Sequence, residues 1–143
     1  MSFLSASDLH PDPSQVNLDY ILFSEVIMPA GLYNFLAEQG ATLTRTILYT
    51  DADEVETDLT GYTAAMQVRP TAASATVILE LTTENTRITL GGAAGTVDLL
   101  VDAATMEAVT PGKYFYDLEL YTGSTVIRLI EGSFTVKAEV TRT

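Results

Sequence analysis

From Ala30 onward the chain never sustains a helical apolar period. It breaks instead into short alternating runs punctuated by turn residues, and that limits the fold more than any other feature. Residues 41–49 (Ala-Thr-Leu-Thr-Arg-Thr-Ile-Leu-Tyr) and 62–69 (Tyr-Thr-Ala-Ala-Met-Gln-Val-Arg) alternate, and Pro70 ends the second. Further strands are expected at 33–36, 76–82, 87–90, 95–101 and 113–121, then at 125–130 and 132–140, the last two as one strand bent at Gly132. Residues 103–109 read as one helical turn closed by Pro111-Gly112. This makes roughly seven to nine strands, about 8–14 residues apart, the spacing of an antiparallel sandwich or barrel. Strands this short bury a core only when two sheets face each other. Neither a βα alternation nor a fixed-period repeat is present, which disfavours a parallel α/β sheet, a propeller or a solenoid.

Residues 1–29 differ from the rest. They contain no Lys or Arg, three of the five prolines and the only histidine, His10. The run His10-Pro11-Asp12-Pro13 excludes regular helix, because each proline fixes its own φ and restricts the residue before it. Val16, Leu18 and Tyr20 then alternate with Asn17 and Asp19, a strand pattern, whereas a short helix over 22–27 would lack a strong cap. The division expected is an extended arm, residues 1–29, and one sandwich domain, residues 30–143. The plainer reading of the arm is a floppy terminus with a few core anchors; the sharper one, supported by an apolar density over 20–28 that a solvated tail would not carry, is an arm that docks on a neighbouring subunit through Leu18, Tyr20, Leu22, Phe23, Val26 and Ile27.

Charge narrows the partners. Nineteen acids against seven bases give a net charge of −12. That disfavours nucleic acid, whose affinity rests on Lys and Arg neutralising phosphate, and equally an anionic membrane surface. No apolar run approaches the roughly 20 residues of a membrane span, and the first residues lack the basic region of a secretory signal. With 143 residues, of which 47% are hydrophobic, the chain is long enough to bury one core. The absence of cysteine removes disulfides, thiolate metal sites and a Cys nucleophile, and one histidine removes a His-rich metal site. No cofactor and no metal are expected.

The chemically suggestive clusters each have a plainer reading. Asp51-Ala-Asp53-Glu54-Val-Glu56-Thr-Asp58 opens with the spacing of a calcium loop. It lacks that loop's glycine and late bidentate Glu, so solvated loop charge is expected rather than a weak cation site. Asp117 and Glu119 share one strand face, about 6.5–7 Å apart by strand rise. A glycosidase pair would want aromatic platforms, and the chain has no Trp. His10 has nothing near it in sequence to complete a triad. Gly91-Gly92-Ala-Ala-Gly95 lacks the Lys-Ser/Thr of a phosphate loop and reads as a turn between strands. Arg45, Arg69, Arg87, Arg128, Arg142, Lys113 and Lys137 are dispersed without a basic stripe, and Arg69 and Arg128 are expected to pair with strand-face acids. The tyrosines at 33, 49, 62, 114, 116 and 121 are a residue type favoured at interfaces, and core and corner duty is expected for most of them.

Pro111-Gly112-Lys-Tyr114-Phe-Tyr116-Asp-Leu118, followed by a hairpin and a final strand, resembles the end of an immunoglobulin-like domain. There a tyrosine near the start of the penultimate strand folds back onto the preceding loop, and Tyr114 or Tyr116 fits that place. A wider resemblance is carried by Gly31-Leu-Tyr-Asn34-Phe, by Asp58-Leu-Thr-Gly61-Tyr-Thr-Ala-Ala-Met-Gln-Val-Arg69, by Ile88-Thr-Leu-Gly-Gly92, and by the segments 111–120 and 128–136. Over about residues 31–140 the chain resembles small proteins of tailed bacteriophages and prophages, and in particular the immunoglobulin-like N-terminal domain of phage baseplate upper proteins. The resemblance implies an immunoglobulin-like β-sandwich and a non-enzymatic structural subunit of the virion, in the tail, baseplate or neck, assembled in the host bacterial cytoplasm. Its partners would be other phage structural proteins and further copies of itself. A capsid decoration protein and a carbohydrate-binding host-adhesion module are the alternative roles.

Overall fold

The β9–β10 hairpin organises the molecule. Strand β9 (Gly112–Thr122) turns at Gly123-Ser124 into β10 (Thr125–Lys137), and the two pair antiparallel along most of their length. A computed structural model describes residues 20–24, as backbone, and residues 30–141. Within these, β9 pairs on its other side with β5 (Thr63–Arg69), which pairs with β6 (Leu79–Thr82). Two short strands, β2 (Gly31–Leu32) and β3 (Phe35–Glu38), add to the free edge of β10. The second sheet runs β1 (Tyr20–Ser24), β4 (Leu43–Thr50), β8 (Thr96–Val101), β7 (Ile88–Leu90). The chain crosses between sheets after β1, after β3, after β4, after β6 and, through α1 (Ala103–Glu107), after β8. That order is the immunoglobulin-like β-sandwich the sequence predicts.

The central ladders are antiparallel, but the three N-terminal strands join sheet edges in parallel: β1 on β4, and β2 and β3 on β10. Alternation explains the packing. Ile47, Val97, Leu99 and Val101 from one sheet meet Met66, Val68, Leu118, Leu120 and Phe134 from the other, all buried. At one end Phe35 packs edge-on to Tyr33 and Tyr116, each at 4.9 Å between centroids, with Phe134 at 5.4 Å.

The last strand is continuous, as expected, but its irregularity falls at Leu129 and not at Gly132. The register skips one residue between Arg128 and Ile130, so Ile127 and Ile130, three apart, both oppose inward residues of β9. Gly132 serves a close approach: a Cβ there would lie 2.3 Å from the Tyr33 carbonyl oxygen. The 76–82 strand is shorter than expected, starting at Leu79, because Arg69 and the 71–74 turn occupy the chain before it. The Gly91–Gly95 stretch is a turn of 3-10 helix joining β7 to β8. Gly95 closes it at φ +71°, where the Tyr49 carbonyl would lie 2.8 Å from any Cβ.

Candidate functional site

The edge of β4 is the first surface of interest. Residues 20–24 run parallel to it in an unbroken five-residue register, from Tyr20 opposite Thr46 to Ser24 opposite Thr50. Three of the six expected arm residues, Tyr20, Leu22 and Phe23, therefore lie on a strand that extends the protein's own sheet. The alternative of a helix over 22–27 is corrected for its first residues: Leu22, Phe23 and Ser24 are extended. Leu18, Val26, Ile27 and His10 lie outside the described residues. Neither β1 nor β4 contains an acidic residue, and the one charge, Arg45, turns inward over the Phe35 ring at 5.9 Å. The Arg45 guanidinium donates to the carbonyls of Thr44 and Leu36.

The outer face of the other sheet is the second surface. It forms an open concavity of about 1070 Å³ across β5, β9 and β10. Alternation puts Gln67 and Arg69 of β5, Phe115, Asp117 and Glu119 of β9, and Arg128 of β10 on this side. Arg128 bridges the two carboxylates, 3.3 Å from Asp117 and 2.8 Å from Glu119. Tyr121 donates its hydroxyl to Glu119 at 2.8 Å. Arg69 donates to the Gln67 side chain and to the Ser74 carbonyl, and Gln67 donates onward to Glu80. The expectation for Arg128 is met, whereas Arg69 bonds neutral oxygens.

These contacts pull the carboxyls in opposite directions. Desolvation, and then the neighbouring Glu119 charge, push Asp117 above its ordinary value, against Arg128 and Arg69. Desolvation also acts on Glu119, but hydrogen bonds from Tyr121 and Arg128 outweigh it and hold that group below its ordinary value. Tyr121 is pushed up to about 12 by desolvation and by its bond to the Glu119 carboxylate. In sequence the three cations Arg69, Lys113 and Arg128 are far apart, so their convergence on this face was not legible as a stripe. The signal available was parity: each occupies an outward position of its strand.

The remaining candidates resolve locally. Asp51 accepts from the backbone amides of Asp53 and Val55, and Asp58 accepts from the amide and hydroxyl of Thr60. These carboxylates shape their own loops. Between the two candidate corner tyrosines the structure chooses Tyr114. Its hydroxyl donates to the Thr110 carbonyl, four residues upstream, at 2.6 Å. Tyr116 reaches across the sheet instead and donates to the Tyr33 carbonyl, also at 2.6 Å.

No family model and no curated protein matches the chain. Among solved structures it is similar to the N-terminal domain of phage TP901-1 ORF48, with a TM-score of 0.44 and 10% identity, over 85% of this chain and 97% of that one. The immunoglobulin-like assignment rests on strand order and the tyrosine corner, independently of that likeness.

Proposed function

We propose that the protein is a non-enzymatic structural subunit of a tailed-phage virion, a tail, baseplate or neck component, which assembles through its N-terminal arm and its sandwich surfaces. The observation that carries this reading is the strand β1. The N-terminal segment is added by backbone pairing to the side of β4 opposite β8, and strand addition is how an arm attaches one domain to another. The sequence resemblance over residues 31–140 supplies the particle. Partners are other virion proteins and further copies of the chain.

The two outward carboxylates belong to this reading as structure. Asp117 and Glu119 share one arginine on an open face, an arrangement that fixes side chains on the sheet. An adhesion module for sugars would want a cluster of exposed rings, and among the described residues that face offers only Phe115, 41% exposed. The test is the chain's copy number in purified particles, by quantitative mass spectrometry. Roughly six to a few dozen copies are expected from the symmetry of a tail, baseplate or neck layer. Hundreds would move the protein to capsid decoration, and none would refute the virion role.

A further inference from the structure

Among the described residues β4 is flanked by β8 on one side and by β1 on the other, and without β1 it would be an edge strand. It is eight residues long, Leu43–Thr50, with no proline, no acid and no outward lysine. Edge strands are ordinarily protected by such residues, by short length or by bulges, because their unpaired amides and carbonyls accept another strand. In a chain of net charge −12, an edge pairing that involves no acidic side chain also escapes the repulsion that opposes association elsewhere. Here, among the described residues, the protection is supplied by β1 alone, and β4 is the only strand with which β1 pairs.

The connection of β1 is equally particular. Its last residue, Ser24, lies opposite Thr50 on one sheet, and the next strand, β2, begins at Gly31 on the other. Six residues join them, a reach of about 20–25 Å when extended. Because β1 is joined to β2 through those six residues, the same five backbone pairs form whether β4 belongs to the same chain or to an adjacent one. Exchange between copies keeps every pair and adds a link, the low-cost route by which a domain becomes part of an assembly.

We infer that the β4 edge is a strand-acceptor site whose occupant in the assembled protein is the segment Tyr20–Ser24 of a second copy of this chain. The inference rests on the assembly reading above for its purpose, and it names the site and the partner for it. Tyr20, Ile21, Leu22 and Phe23 of the donor give an apolar strand, and Thr46, Ile47, Leu48 and Tyr49 of the acceptor lie opposite them in the register.

The chain has no cysteine, so engineered thiols report without background. Leu22 is the register partner of Leu48, and the Cα atoms of such partners on neighbouring strands lie within disulfide range. Two full-length single-cysteine variants, Leu22→Cys and Leu48→Cys, are mixed, oxidised and run without reductant. The double variant is oxidised alone. A second pair, Tyr20→Cys with Thr46→Cys, repeats the test at a less buried acceptor position. Exchange predicts a mixed disulfide between the two single-cysteine chains, several-fold over either self-dimer, and oligomers of the double variant. A double variant that closes only within itself overturns exchange, and no disulfide in either pair overturns the acceptor site. Strand exchange in a chain that is absent from particles would refute the virion role alone. A particle subunit that closes its disulfide internally would refute the exchange alone.

Discussion

Tyr114 and Tyr116 stand two residues apart on the same side of β9, yet their hydroxyls hold different parts of the fold. Tyr114 ties the strand to the loop that precedes it, whereas Tyr116 ties β9 to the link between β2 and β3. The Tyr116 ring is buried, and burial pushes its hydroxyl well above the ordinary tyrosine range. Removing each hydroxyl should therefore cost different amounts. Tyr114→Phe, at a half-exposed corner, is expected to lose about 1 kcal/mol, and Tyr116→Phe more, about 2–3 kcal/mol, because it strands a carbonyl inside. Chemical denaturation measures both, and equal losses would contradict the assignment. That a corner tyrosine existed was legible in Pro111-Gly112-Lys-Tyr114-Phe-Tyr116; which of the two it was depended on the position of Tyr33, which no local pattern carries.

The outward charges of β9 give a second prediction at this scale. The folded chain holds Asp117 above its ordinary 3.8 and Glu119 below its ordinary 4.5, so the two groups are shifted in opposite directions. Glu119 contributes stability above its ordinary value, and that contribution is lost as pH falls through its lowered folded value. Asp117 acts in the opposite sense: its contribution is present below 3.8 and is lost as pH rises through its raised folded value. In Arg128→Ala both groups should titrate higher, since the arginine favours both anions. Carboxyl NMR titration reads this directly, and values unmoved by the substitution would contradict the bridge.

At the scale of elements, most boundaries followed from alternation and from glycine and proline. Strands β4, β5, β8 and β9 lie within a residue or two of where alternation sets them. Partner choice was less legible. Nothing in Gly31-Leu32 or Phe35–Glu38 says that these strands lie parallel to β10, a pairing fixed by contacts about a hundred residues apart in sequence. Gly132 marks that junction. The Tyr33 amide donates to the Glu131 carbonyl, and the Asn34 side chain accepts from the Ser133 amide, drawing the link onto β10. Gly132→Ala places a carbon against the Tyr33 oxygen and is expected to cost about 1–3 kcal/mol as overpacking. A variant melting as the parent does would show that the link yields freely.

For the whole molecule, the sandwich and its N-terminal strand divide the work. The sandwich closes its core through strands from Gly31 onward, and β1 adds to an edge outside those ladders. Arm-like composition before Pro29 was legible as a change in charge and apolar density, whereas the acceptor edge was not, because which strands flank β4 is decided by pairing in space and by no local pattern. The measurement that bears most directly on the assembly role compares the full chain with a variant lacking residues 2–28, followed by thermal melting and by incorporation into particles. The expected result is a variant that still unfolds cooperatively and is missing from the particle, while the full chain is present. A folded variant that enters particles as well as the full chain would contradict the role given to the arm.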